Sequence, residues 1–216
     1  DPEVGISFTE HHQLPFLPEK PVHGREADHG ALIRAIEGDD GSVKEIVTES
    51  QGVFHGEHRI LYPDGQIKTQ AFYSLGRLHG PSVCYSPEGT LVSKVWHIRG
   101  ERQGKSWLYY TDGAPYALLR YREGVQDGRQ EYFYQDGIVK TLSYYRQGEL
   151  HGPTVLYHED GRSEREVTFA QGKRKGIERR WDEIGRLVME AFFDGVRPYG
   201  ILRRWHPNGQ IMEETS

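Results

Sequence analysis

The chain has little of what a compact enzyme domain is built from. Hydrophobic residues fill only 36% of its 216 positions. That is thin for a large interior, but a single-layer sheet needs each hairpin to cover only its neighbours. The one cysteine, Cys84, excludes an internal disulfide and fits the cytosol or a cysteine-poor periplasmic protein. No stretch of the sequence approaches the roughly 18 consecutive apolar residues of a membrane-spanning helix. Positive charge is not in excess either. The net charge of −5 provides no general field for nucleic acid or anionic lipid. The charge is uneven: residues 162–216 carry a net +2, which leaves −7 for the first 161. The chain starts at Asp1 rather than Met, and a periplasmic protein with its signal peptide removed is expected ahead of a cytoplasmic one.

Glycines and aromatic rings are plentiful, and they recur in step. Gly56, Gly80, Gly104, Gly128, Gly152, Gly176 and Gly200 lie 24 residues apart. A second series follows nine residues behind: Gly65, Gly89, Gly113, Gly137, Gly161, Gly185 and Gly209. A third runs Gly52, Gly76, Gly100, Gly124, Gly148 and Gly172, and its next place is taken by Val196 with Gly195 beside it. A fixed period of this length is the signature of a repeat architecture. Asp64-Gly65, Asp112-Gly113, Asp136-Gly137, Asp160-Gly161 and Asn208-Gly209 are strong hairpin signals. Each unit therefore reads as strand, tight turn at the Asp-Gly pair, strand, and a wider turn bracketed by the first and third series, as in Gly76-Arg-Leu-His-Gly80.

Two aromatic columns accompany the glycines. One holds Leu61, Tyr85, Tyr109, Phe133, Tyr157, Trp181 and Trp205; the other holds Tyr73, His97, Tyr121, Tyr145, Phe169 and Phe193. Both are expected on one face, with Ile67, Leu91, Val139, Leu187 and Ile211 and the smaller Ala71, Val95, Ser143, Val167 and Ala191 between them. Such cross-strand pairs contribute roughly 0.2–1 kcal/mol each. The fold expected is all-β: an elongated, coiled, single-layer antiparallel sheet of 24-residue hairpins. Its parts are an irregular arm over residues 1–28, rich in proline (Pro2, Pro15, Pro18, Pro21), a degenerate capping repeat over 29–51, and seven repeats over 52–216.

The unit from Gly128 to Gly152, with its aromatic-x-x-Asp-Gly (Phe133 to Gly137) and Gly-x-x-His-Gly elements, resembles the MORN-repeat variant of bacterial proteins, many of which are described as YwqK-type antitoxins. The resemblance covers about residues 29–216. It implies a tandem β-hairpin fold and a protein that binds and silences a partner toxin. Related MORN-like proteins also resemble immunity proteins encoded beside secreted antibacterial effectors, lipases among them. The resemblance carries no catalytic residues.

Chemistry elsewhere in the sequence is sparse. Gly100 to Ser106 imitates a phosphate-binding loop but has one residue too few between its glycines, and no helix is expected to follow. His55, His79 and His151 share one place in the repeat; strands two apart would hold them roughly 10 Å from each other, too far to share a metal. They read as turn residues. His11, His12, His23 and His29 match no ligand spacing, Cys84 reads as a small strand residue, and the turn aspartates lack the clustering of a calcium loop. With no convergent acid, base or nucleophile, neither an enzyme nor a cofactor is expected.

The second face is more suggestive. Phe72, Trp96, Tyr144, Phe192, Leu118, Leu142 and Tyr132 lie among charged residues there, the composition of a binding surface. Arg179-Arg180 and Arg203-Arg204 recur 24 apart and would form a short cationic ladder for an acidic surface or a lipid headgroup. The candidate partner-binding residues are Phe72, Trp96, Tyr144, Arg179, Arg180, Arg203 and Arg204. The function expected is steric occlusion of a cognate toxin or effector protein, with no nucleic acid and no integral membrane segment. A scaffold that touches anionic phospholipid is the alternative.

Overall fold

The computed structural model describes residues 31–215 and the backbone of Glu26–Ala27. Apart from that two-residue strand, the arm expected over residues 1–28 lies outside the described residues, as do His11, His12, His23 and His29. The chain divides into two compact units, Asp1–Gly113 and Ala114–Ser216. Both are all-β. Among the described residues there is no helix, and consecutive strands pair antiparallel as a series of hairpins.

In the first unit the long strands are Ala31–Glu37, Val43–Ser50, Val53–Leu61, Ile67–Ser74, Arg77–Tyr85, Leu91–Ile98 and Gly104–Tyr109. The second unit continues the same period: its strands starting at Val139, Ser163, Leu187 and Ile211 follow one another by 24 residues. Alternation of side chains sets each strand's two faces, and the turns fix which residues meet.

The turns exchange the roles expected of them. The glycine series that includes Gly76 makes the tight turn. Ser74 pairs with Arg77, and the two residues between have positive φ, Leu75 at 49° and Gly76 at 75°. That is the two-residue turn whose twist matches the strands. The Asp-Gly pairs form the longer loop. Gly65 donates to the Tyr62 carbonyl, and Tyr62 donates to the Gln66 carbonyl, which leaves a three-residue loop ending in a left-handed glycine. Asp64 caps it by accepting from the Gln66 amide at 3.0 Å, and Asp136, Asp160 and Asn208 do the same in their copies. In the last copy the tight turn changes type. Gly195 has φ 83° and Val196 is not in the left-handed region, so a single glycine in first place suffices.

The leading glycines belong to strands, not turns. Gly80 lies within Arg77–Tyr85 at φ 116°, and a Cβ there would meet Phe72 Cβ at 3.3 Å. The ladder skips Phe72 at an irregularity between Ala71 and Tyr73. Glycine is required because the backbone bulges there and the neighbouring strand's side chain occupies the space above it.

A central row of cross-strand partners forms the core of each unit. In the first it runs Val47, His58, Ala71, Ser82 and Val95. In the second, Thr154, Val167, Glu178, Ala191 and Leu202 are linked in the same way. Val47, Ala71, Val167 and Ala191 are buried, and so are Gln130 and Glu178, with no exposed area at all. Small apolar and polar side chains therefore alternate along the row. Phe54, His58 and Tyr73 pack beside it with ring centroids 5.1–5.7 Å apart.

Two expectations about faces need correction. The column of Tyr73 stands opposite the leading glycine, but Leu61 pairs with Ile67 only beyond a register shift between Ile60 and Leu61. Counting odd offsets across that bulge does not relate the two columns. Tyr132 pairs with Ala117 and Thr141, so it shares the face of the central row rather than that of Leu118 and Leu142. Its ring meets Tyr116 edge-on at 5.8 Å.

Candidate functional site

The aromatic candidates lie on the face opposite the central row. Phe72 stands across from Glu57 and Trp96 across from Pro81 in the first unit; Tyr144 stands across from Arg129 in the second. All three are half-buried. Phe72 fills the space over Gly80, and Tyr144 does the same over Gly152, at 3.4 Å from an added Cβ. Part of each ring is therefore occupied in seating its own repeat.

The four arginines do not form one patch. Adjacent strand residues point to opposite faces. Arg179 and Arg203 sit in an alternating cross-strand series, Glu166, Arg179, Glu190, Arg203, Glu214. Arg179 bonds Glu190 at 2.8 Å, and Arg203 bonds Glu214 at 3.0 Å. Along this series three carboxylates outnumber two guanidiniums, so it carries no excess of positive charge. Arg180 and Arg204 lie on the central-row face, in the order Arg165, Arg180, Met189, Arg204. Sequence spacing placed the pairs correctly 24 apart but could not assign their faces without the register.

Near Arg179 and Arg203 the surface opens into a cleft of about 310 Å³ lined by Ile177, Phe192, Tyr199, Gly200, Ile201, Glu190 and Arg203. Over Gly56, Gly80, Gly128, Gly152 and Gly176 a side chain sits within 4 Å of an added Cβ, whereas at Gly200, as at Gly104, it would meet nothing. Phe192 stays 45% exposed, Tyr199 70% and Ile201 47%. The sequence signal for this cleft lies in departures from the repeat. The position after the leading glycine holds Glu57, Pro81, Lys105, Arg129 and Pro153, then Ile177 and Ile201. The position before it holds His55 and His79 in early copies and Tyr199 in the last.

The histidines expected in turns are not there: His55 and His79 lie on the strands Val53–Leu61 and Arg77–Tyr85, and His151 lies between two strands. His55 Nδ1 accepts from the Leu75 amide at 3.4 Å, and His79 Nδ1 accepts from Arg99 in the same way. Asp127 takes that role for Gln147 at 3.1 Å. Among the described residues no group of three or more His, Cys, Asp or Glu is placed to hold a metal ion. Cys84 is half-buried in mid-strand opposite Thr69 and Ser93. Lys105 and Ser106 lie on a strand, so no helix terminus faces them.

On the central-row face, Glu178 organises three arginines. Its carboxylate accepts from Arg165 at 2.9 Å, Arg180 at 2.9 Å and Arg174 at 3.0 Å. Arg174 also lies 4.4 Å from the centre of the Phe193 ring. Burial pushes the Glu178 pKa up, but Arg180, Arg165 and Arg174 outweigh it and hold the carboxyl below its usual 4.5. In the first unit, burial first and Arg102 second depress His97 below 6.5, and its Nδ1 is buried without a hydrogen-bond partner.

The family model of the MORN repeat variant matches residues 54–74, 126–147 and 198–216. Each match contains one hairpin around an Asp-Gly or Asn-Gly loop, and the last contains Tyr199 and Ile201. The comparison with curated proteins finds no match. No helix among the described residues is long and apolar enough to cross a membrane.

Proposed function

We propose that this is a non-enzymatic protein-binding repeat protein of the antitoxin or immunity kind, which neutralises a cognate toxin or secreted effector by covering its working surface. The observation that carries the reading is the open cleft of the second unit, where Phe192, Tyr199 and Ile201 stay exposed beside the Glu190–Arg203 rim. Clustered aromatic and aliphatic surface bordered by charge is the composition of interface hot spots. The match to the MORN repeat variant supports a repeat scaffold built to bind. Within the second unit Tyr144 would add complementary surface, with Arg179 and Arg203 at the polar margin of the cleft, and Phe72 and Trp96 would offer aromatic surface on the first unit.

The test is co-expression with the product of the neighbouring reading frame. Growth arrest by that product, relieved by the intact protein, is the expected result. Phe192→Ala with Tyr199→Ala should weaken the complex by about 100-fold, as hot-spot truncations do, and lose the rescue. A neighbouring product without toxicity, or rescue that survives the double substitution with unchanged affinity, would overturn the reading.

A second reading, a scaffold that touches anionic phospholipid, draws on half-exposed Arg180 and Arg204. Salt-sensitive sedimentation with anionic liposomes would favour it.

A further inference from the structure

The central-row face of the second unit carries a cation arrangement that folding alone does not call for. Arg165 and Arg180 are direct cross-strand partners, and like charges placed opposite one another destabilise a sheet. No two cations face one another at these places in the first unit: Glu45 and Thr69 face Ile60, Thr69 also faces Cys84, and Ser93 faces Leu108. In the second unit Arg165 stands where the first has Glu45, Thr69 and Ser93, and Arg180 and Arg204 stand where it has Ile60, Cys84 and Leu108, while the place of Arg174 already holds Arg102 in the first unit. Glu178 offsets one charge of the three guanidiniums bonded to it. Arg180 remains 51% exposed and Arg204, bonded to Glu213 at 2.7 Å, 48% exposed.

We propose that the row Arg165, Arg180 and Arg204, braced by Glu178 and Arg174, binds an extended acidic polypeptide segment, at a site separate from the apolar cleft on the other face. The spacing favours a chain over a small anion. From Arg165 to Arg204 the row crosses three strand intervals, about 14 Å at 4.8 Å each. Carboxylates at alternate positions of an extended chain recur about every 6.7 Å, so three of them span the row. The point where the three guanidiniums converge is already filled by the Glu178 carboxylate, and a compact dianion finds no vacant centre there. Anionic groups must instead approach side by side from solvent, each meeting the outer edge of a guanidinium already held in place, which lowers the ordering cost of binding.

The test uses the full chain and a fluorescein-labelled peptide of alternating Glu and Ser, with the Lys-Ser peptide as its counterpart. Saturable binding of the acidic peptide that weakens with added salt is expected. Arg180→Gln with Arg204→Gln should reduce affinity about tenfold. Arg146→Gln with Arg162→Gln removes the same net charge away from the row and should change it by less than about twofold. If the first pair fails to fold, Arg204→Gln alone keeps the Glu178 cluster intact and should still weaken binding about threefold. Absence of saturable binding would overturn the proposal, as would equal losses from both pairs. Displacement of the peptide by equimolar inorganic phosphate would assign the site to a phosphate group instead. Binding confined to phosphatidylserine vesicles, with none to the peptide, would assign it to a lipid surface.

Discussion

The position two residues after the leading glycine separates the two units. In the first it holds His58, Ser82 and Ser106; in the second it holds Gln130, Thr154, Glu178 and Leu202. His58, Ser82 and Glu178 are in the ladder with the preceding strand, whereas the ladder to that strand stops short of Ser106, Gln130 and Thr154. Their surroundings differ as well. His58 needs only Glu45 at 3.0 Å, and Ser106 is buried with its hydroxyl unbonded. Gln130, in contrast, accepts from the Arg120 amide at 2.8 Å and donates to the Arg120 carbonyl at 3.0 Å, and Glu178 gathers three arginines. Neighbouring copies supply the partners of His58, Gln130 and Glu178, whereas the smaller hydroxyls of Ser106 and Thr154 are buried without one.

The sharpest way to break this contrast is to remove one occupant from each unit. Glu178→Gln should cost about 3 kcal/mol, since it leaves three guanidiniums around a site that no longer offsets their charge. Ser82→Ala, its counterpart in the first unit, should cost less than about 1 kcal/mol. Urea unfolding checks both, and equal losses would dismiss the contrast. Because the folded carboxyl titrates below 4.5, its stabilisation is complete above that pH and fades as pH falls through the lowered value. The Glu178→Gln deficit should therefore shrink in acid.

Next in size is a change that should treat the units alike. Gly80→Ala and Gly152→Ala would each place a methyl within 3.4 Å of a neighbouring Cβ, at φ of 116° and 111°. Each should cost about 2 kcal/mol, and a difference between them larger than about 1 kcal/mol would mean that the two units do not share one bulge geometry.

Gln130→Ala follows, at about 1.5 kcal/mol, because it strands the amide and carbonyl of Arg120. Hydrogen exchange offers the discriminating readout: the Arg120 amide should lose protection while Leu119 keeps its own.

The smallest effect is a gain. His97→Phe removes a buried nitrogen without a partner and should stabilise the protein by about 1 kcal/mol at neutral pH. The depressed His97 pKa means that wild-type stability is full above 6.5 and is lost as pH falls through it toward the folded value. The advantage of the variant should therefore widen between pH 7 and pH 5, and a constant difference would contradict the burial of a neutral ring.

Glycine spacing made the hairpins and their period legible, because left-handed and bulged backbone selects glycine at fixed places. It could not tell which glycines turn the chain. Asp64-Gly65 and Leu75-Gly76 both satisfy a turn, and only the pairing of Ser74 with Arg77 identifies the shorter. Faces are legible along a strand but not across the bulge between Tyr132 and Phe133, which puts Tyr132 on the central-row face; Arg179 and Arg180, neighbours on one strand, are separated by the pleat alone. Recurrence does not reveal the apolar cleft, because Ile177, Tyr199 and Ile201 are conspicuous only as exceptions to the repeat.

Six tight turns place a residue with a Cβ in left-handed backbone: Gln51, Leu75, Arg99, Glu123, Gln147 and Gln171. Such a conformation costs L-residues about 1 kcal/mol apiece relative to glycine or asparagine. An engineer who wrote Asn at all six would leave every strand untouched and raise the melting temperature step by step, with the increments nearly adding because the sites lie far apart. Thermal robustness in this molecule is thus an adjustable dial with six equal notches, set below its maximum.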